Sequence, residues 1–169
     1  MTDSFASSLR AGAVAGVVAG LPMSVTEVAV RALLDSPQRV PCSRTVAGLE
    51  ERLHLSLSEP AHLLATTIGH VAYSALGGAV FGAVMHAAPT RRSAVVDVVA
   101  GTAFSFALQA VTYGAVLPTA SILPPPPRMN RDFHVMNIVA HAAWGLAMGA
   151  AFRASKRNPL WGLSPRRSA

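Results

Sequence analysis

A chain of 169 residues that is 51% hydrophobic and only 13% charged does not read as a water-soluble domain, where about a quarter of residues are charged. The formal net charge of +6 does not point to nucleic acid, because the Lys and Arg residues lie between the apolar runs and after the last one, as they do at membrane flanks. The single cysteine, Cys42, excludes an internal disulfide and a cysteine-rich metal site. A phosphate loop, a dinucleotide glycine fingerprint, a nucleophile elbow and a zincin His-Glu-x-x-His are all missing, so no enzyme activity is expected.

The predicted architecture is all-α: a single membrane domain over 1–157 with four transmembrane helices at about 10–31, 61–86, 95–117 and 133–153, then a loose basic tail over 158–169. Residues 1–8 read as a frayed polar tail. The first span carries Gly12, Gly16 and Gly20 at four-residue spacing, a groove on one helix face that lets another backbone approach closely. Such a face serves packing within the chain or a homo-oligomer equally well. Pro22 removes one backbone donor and predicts a kink. Glu27 lies inside the apolar run with Arg31 one turn on. The pair reads either as an i,i+4 ion pair at the membrane edge or as a carboxylate facing the bundle interior.

Pro37 and Pro41 keep the next connection extended, and from Thr45 onward Val46, Leu49 and Leu53 fall on one side of a short amphipathic helix. That helix is expected to lie on the membrane surface or to cap the bundle. Glu59-Pro60 opens the second span, which is free of Asp, Glu, Lys and Arg from Ala61 to Met85 and so can cross a hydrocarbon layer of ~30 Å. It carries His70 and Tyr73, then small residues at Ser74, Gly78 and Gly82. A basic turn at 87–92 leads to the third span, with Gln109, Thr112 and Tyr113 in its later half. The run Pro124–Pro127 makes a stiff connection to the fourth span, which holds His141, Trp144, Gly145 and Gly149 and closes on Arg153, Lys156 and Arg157. Trp161 in the tail suits the membrane interface.

The second and fourth spans share H-x-x-[Y/W]-[S/G]-x-x-x-G, an internal echo consistent with two helical hairpins in tandem. From an edge near Arg31, His62, Pro118 and His134, Glu27 lies about one turn deep. His70, Gln109 and His141 lie about two turns deep, at ~3.6 residues per turn. The expected site is therefore a polar cluster of Glu27, His70, Gln109 and His141, with His62, Tyr73, His134 and Trp144 in support. Four readings stand open: histidines that fix helix packing, a proton or ion path, a zinc site from Glu27, His70 and His141, and a bis-histidine haem between the second and fourth spans. No cofactor is expected on balance. The leading class is a proton-sensitive or transporter-like bundle, with a structural or assembly subunit of a larger membrane complex as the alternative and a haem redox subunit third. The lipid bilayer is the expected partner. Arg10, Arg91, Arg92, Arg153, Lys156, Arg157, Arg166 and Arg167 share one side against Arg31, Arg39, Arg44, Arg52, Arg128 and Arg131 on the other, and this modest excess predicts both termini in the cytoplasm.

EPAHLLATTIGH (59–70), LPTASILPP (117–125) and the histidine with its nearby tryptophan and basic cluster (141–157) together resemble the YagU-like family of small bacterial inner-membrane proteins. The resemblance extends from Glu27 to Arg157 and implies a four-span inner-membrane protein without an assigned activity. The chain departs from the family pattern at Ala140, where the family has glycine, and in its shorter first loop.

Overall fold

The computed structural model describes residues 4–88 and 92–157, and within them every regular element is helical. Helix α1 spans Phe5–Leu33, α2 Pro41–Leu53, α3 Glu59–Ala87, α4 Ala94–Thr119 and α5 Arg131–Arg157. Helices α1, α3, α4 and α5 are each long and apolar enough to cross a membrane. The chain is an all-α membrane protein with a four-helix bundle. Arg91, Trp161, Arg166, Arg167 and the tail 158–169 lie outside the described residues.

The helices outrun the expected spans because polar caps sit beyond the apolar runs. Ser4 caps α1 by accepting from the Ser7 amide, so the helix begins within the supposed frayed tail. Ser93 accepts from the Val96 amide at α4, and Asn130 accepts from the Phe133 amide at α5. Pro60 occupies the first turn of α3 and Pro41 that of α2, where a missing amide costs nothing. Helix α2 therefore starts at Pro41 and not at Thr45. Helix α1 runs through Pro22 as one helix.

The outside of the bundle carries large aliphatic side chains, and small residues line the contacts between helices. Leu21, Val25, Leu64, Ile68, Leu76 and Val99 are exposed, whereas Ala11, Ala15, Ala19, Gly16 and Gly78 are buried, the pattern of a molecule whose surroundings are hydrocarbon. Helix α1 lies between α3 and α5, and α4 lies on the far side of α5. The two hairpins close through matched glycines. A Cβ on Gly16 would strike the Ser74 carbonyl and the Gly78 Cα. In the second hairpin a Cβ on Gly101 would strike the Gly145 carbonyl and the Gly149 Cα. The match extends along both pairs: Gly78 faces the Gly12 carbonyl as Gly149 faces the Asp97 carbonyl. The sequence echo is thus an equivalence of register, and Gly12, Gly16, Gly78 and Gly82 are used inside the chain.

By contrast, α3 and α4 approach each other through long side chains. Phe81 meets Phe104 at 5.4 Å between centroids, and Tyr73 Oη lies 3.3 Å from Thr112 Oγ1. Toward the α2 end this separation widens into a cavity. In α4 a π-turn over Thr112–Val116 re-phases the helix there, turning Thr112 and Tyr113 toward the gap. Helix α2 covers the gap, and Ile122 from the proline-rich connection presses on Gly48. Of the two places expected for the amphipathic helix, it takes the cap on the bundle.

Candidate functional site

A cavity of about 350 Å³ opens between α1, α2, α3 and α4. Its walls are leucine-rich, with Leu49, Leu53 and Leu57 among them, and its polar groups include Glu27, Glu50, His70, Tyr73, Thr112 and Tyr113. Glu27 is 3% exposed and its Oε1 has no hydrogen-bond partner. The expected ion pair with Arg31 does not form: Arg31 Nε instead donates to the Ser36 carbonyl at 3.4 Å. The reason lies in the helix ending. The chain turns back at Leu34–Ser36 and offers Arg31 a carbonyl outside the bundle, while Glu27 faces inward.

His70 stands at the partition between this cavity and a groove on the outer flank of α1 and α3, and Glu27 and Cys42 line both. His70 Nε2 is 3.3 Å from the Gly20 carbonyl and 3.2 Å from Ser24 Oγ, so that nitrogen carries the proton and donates to α1. Gly20 is needed here in a specific sense, because a Cβ on it would lie 3.4 Å from His70 Nε2 and 3.2 Å from Ser74 Oγ.

His141 does not line either cavity. It is 0% exposed and its Nδ1 donates to the Asn137 carbonyl of its own helix at 2.9 Å, leaving Nε2 without a partner. Tyr113 and Trp144 stand edge-on to the ring at 5.9 and 6.3 Å between centroids. Trp144 is equally enclosed, and its Nε1 donates to the Gly16 carbonyl at 3.0 Å, tying α5 to α1. Gln109 is half-buried and also lies away from the cavity lining. The four-residue cluster thus divides: Glu27 and His70 meet at the cavity, while His141 and Gln109 do not join them.

The supporting histidines have structural partners. His62 is the joint between cap and bundle: its Nδ1 donates to Glu50 Oε1 at 2.7 Å, and its Nε2 accepts from Arg39 Nη1 at 2.9 Å and Ser43 Oγ at 2.8 Å. His134 Nε2 donates to the Pro126 carbonyl at 3.0 Å and pins the proline-rich connection. Tyr73 joins the site through its contact with Thr112.

No three His, Cys, Asp or Glu side chains among the described residues gather as a metal ligand set, so the zinc reading loses its geometry. The haem reading loses its second axial ligand to the enclosure of His141.

Sequence reasoning missed the α2 wall. Cys42, Thr45 and Leu49 line the cavity, and Cys42 Sγ lies 3.5 Å from the Thr66 carbonyl. Burial, with the neighbouring Glu27 carboxylate adding to it, pushes the Cys42 thiol up to about 12. Thr112 and Tyr113 were legible as the i+3 and i+4 neighbours of Gln109, but only the π-turn gives them the cavity. At the opposite end of the bundle Asp97 pairs with Arg92 Nε at 2.9 Å and Arg153 Nη1 at 2.8 Å. Lys156 Nζ donates to Ser8 Oγ at 2.8 Å. These contacts fasten α4, α5 and α1 at the end of the bundle away from α2.

Comparison with known proteins finds no family, no curated protein and no solved structure that matches this chain.

Proposed function

We propose that this is a bacterial inner-membrane protein with both termini in the cytoplasm, whose Glu27 takes up and releases a proton inside a cavity in the outer half of the bilayer. It is a proton-sensitive, transporter-like bundle. The observation that carries the reading is a carboxyl group nearly sealed from the surface, with one oxygen unpartnered, in a cavity with leucine-rich walls and no Lys or Arg in its lining. An isolated carboxylate charge in such a setting costs several kcal/mol and is neutralised by a proton or a cation. The titratable groups sharing that cavity are Glu50 and Cys42 from α2, His70 and Tyr73 from α3, and Tyr113 from α4. Glu50 is held by His62, which leaves Glu27 as the exchanging acid. The location rests on the four spans, on the excess of eight basic residues in the sequence over six on the two sides of those spans, and on the resemblance to the YagU-like family. The assembly-subunit alternative is not favoured, because the glycine faces that would dock a partner are filled within the chain.

Infrared difference spectra of the protein in liposomes, taken between pH 5 and 8, test this. A protonated-carboxyl C=O band that changes with pH in the wild type and is missing in Glu27→Gln is the expected result. Identical spectra from the two proteins would remove the proposal.

A further inference from the structure

We infer that the Glu27 cavity is a binding site for an amphiphilic organic monocation, an aromatic or alkyl amine or a quaternary ammonium group; this deepens the proton-exchange reading and rests on it. Three features of the cavity select that chemistry together. The first is charge: its lining includes two carboxylates, Glu27 and Glu50, and no Lys or Arg. Glu50 Oε1 is taken by His62 at 2.7 Å, so the unpaired negative group is Glu27, 3% exposed and lacking a partner at Oε1. A neutral ligand would leave that carboxylate as it stands, whereas a cation satisfies it directly.

The second feature is aromatic. Tyr73 and Tyr113 line the same space from α3 and α4, and an alkylammonium held over a tyrosine face is attracted by the ring quadrupole most strongly where water is excluded. The third is size and surface. About 350 Å³ lies within the range of pockets that enclose small organic ligands, and the leucine walls bury an apolar body but cannot strip the hydration from an inorganic ion. Leu53, Leu55 and Leu57 at the rim are exposed, so the mouth lies beside the short stretch joining α2 to α3. A ligand concentrated at the membrane interface reaches it laterally.

Proton and cation then compete for one carboxyl group. A quaternary ammonium carries no exchangeable proton, so its binding discharges the Glu27 proton into solvent, and protonation of Glu27 expels the cation. The two events are the two halves of an exchange cycle at a single site.

The test uses the full chain in dodecyl maltoside micelles, which contribute neither charge nor ammonium groups. Equilibrium dialysis measures binding of benzyltrimethylammonium and of neopentylbenzene, its uncharged carbon isostere. Saturable binding of the cation at least tenfold tighter than the isostere is expected. Glu27→Gln should weaken the cation by at least tenfold and leave the isostere unchanged, while Ala65→Trp, which fills the cavity from its half-buried α3 wall, should weaken both. If Glu27→Gln fails to fold, the cation-to-isostere ratio on the wild type and the Ala65→Trp result decide the matter. Equal binding of cation and isostere, or a Glu27→Gln protein that binds the cation normally, overturns the inference and leaves an apolar site for lipid chains. Displacement of the probe by added phosphatidylcholine identifies a choline lipid headgroup as the natural source, and failure to displace identifies a free amine; both outcomes uphold a cation site. A Glu27 C=O band that titrates with pH but does not respond to the cation would overturn this inference alone. A band that does neither, with no cation bound, would overturn the proton reading as well.

Discussion

The two hairpins of this protein have the same backbone register and different side-chain fates. Gly16 on Ser74 and Gly78 in the first matches Gly101 on Gly145 and Gly149 in the second, and His70 and His141 occupy the same place relative to those contacts. Yet His70 reaches across to the Gly20 carbonyl and Ser24, facing open space on both flanks, while His141 is sealed and bonded to its own helix. The residue matching Gly20 is Ser105, whose Oγ donates to the His141 carbonyl at 2.7 Å and so occupies the room that Gly20 leaves for an imidazole. The acid is also confined to one hairpin: Thr112 stands in α4 where Glu27 stands in α1. A repeated glycine face therefore fixes how two helices meet. It does not fix what the polar residues beside it do.

The most severe way to break the equivalence is at the glycines. Gly16→Ala and Gly101→Ala each drive a Cβ into backbone that cannot rotate away, and each is expected to lose at least ~3 kcal/mol, the upper range for overpacking, read as thermal midpoint in detergent. Gly69→Ala is the control, since nothing lies within 4 Å of a Cβ there, and it should stabilise α3 by up to ~1 kcal/mol. If Gly16→Ala is as harmless as Gly69→Ala, the hairpins do not meet as described.

The histidines sharpen the comparison. His141→Ala empties a fully buried position between Tyr113 and Trp144 and is expected to cost ~2–4 kcal/mol, whereas His70→Ala gives up a half-buried ring with hydrogen bonds to α1 for ~1–2 kcal/mol. Denaturant titration of both variants checks the order, and equal losses would deny the distinction between the two sites.

The smallest expected effect concerns the cap, which only the first hairpin owns. Burial raises the Cys42 thiol to about 12, so at pH 8 the thiolate is scarce, and maleimide labelling should run at least ~100-fold slower than for an exposed thiol. Labelling should remain slow up to pH 9 and reach the ordinary rate in denaturant. Rapid labelling of the folded protein would mean that α2 swings free of the bundle.

Much of this was legible in the chain itself. Four apolar runs and the glycine spacing determine four spanning helices, because the helix period converts spacing into a face and an apolar length into a crossing. Depth left Glu27 open between an edge ion pair with Arg31 and an interior acid, and only the turn at Leu34–Ser36 that occupies Arg31 separated the two. What the sequence could not decide was which polar residues share a space. His141 and Gln109 matched His70 in depth, but depth says nothing about azimuth, and the enclosure of His141 and the π-turn at Thr112–Val116 placed Tyr113 at the cavity instead of Gln109. The α2 wall was equally hidden, since a short amphipathic helix satisfies its apolar face on lipid or on protein alike. The partly buried Glu50–His62 contact settled it. Periodicity is a property of one helix, whereas a site is a property of how several helices are rotated against one another.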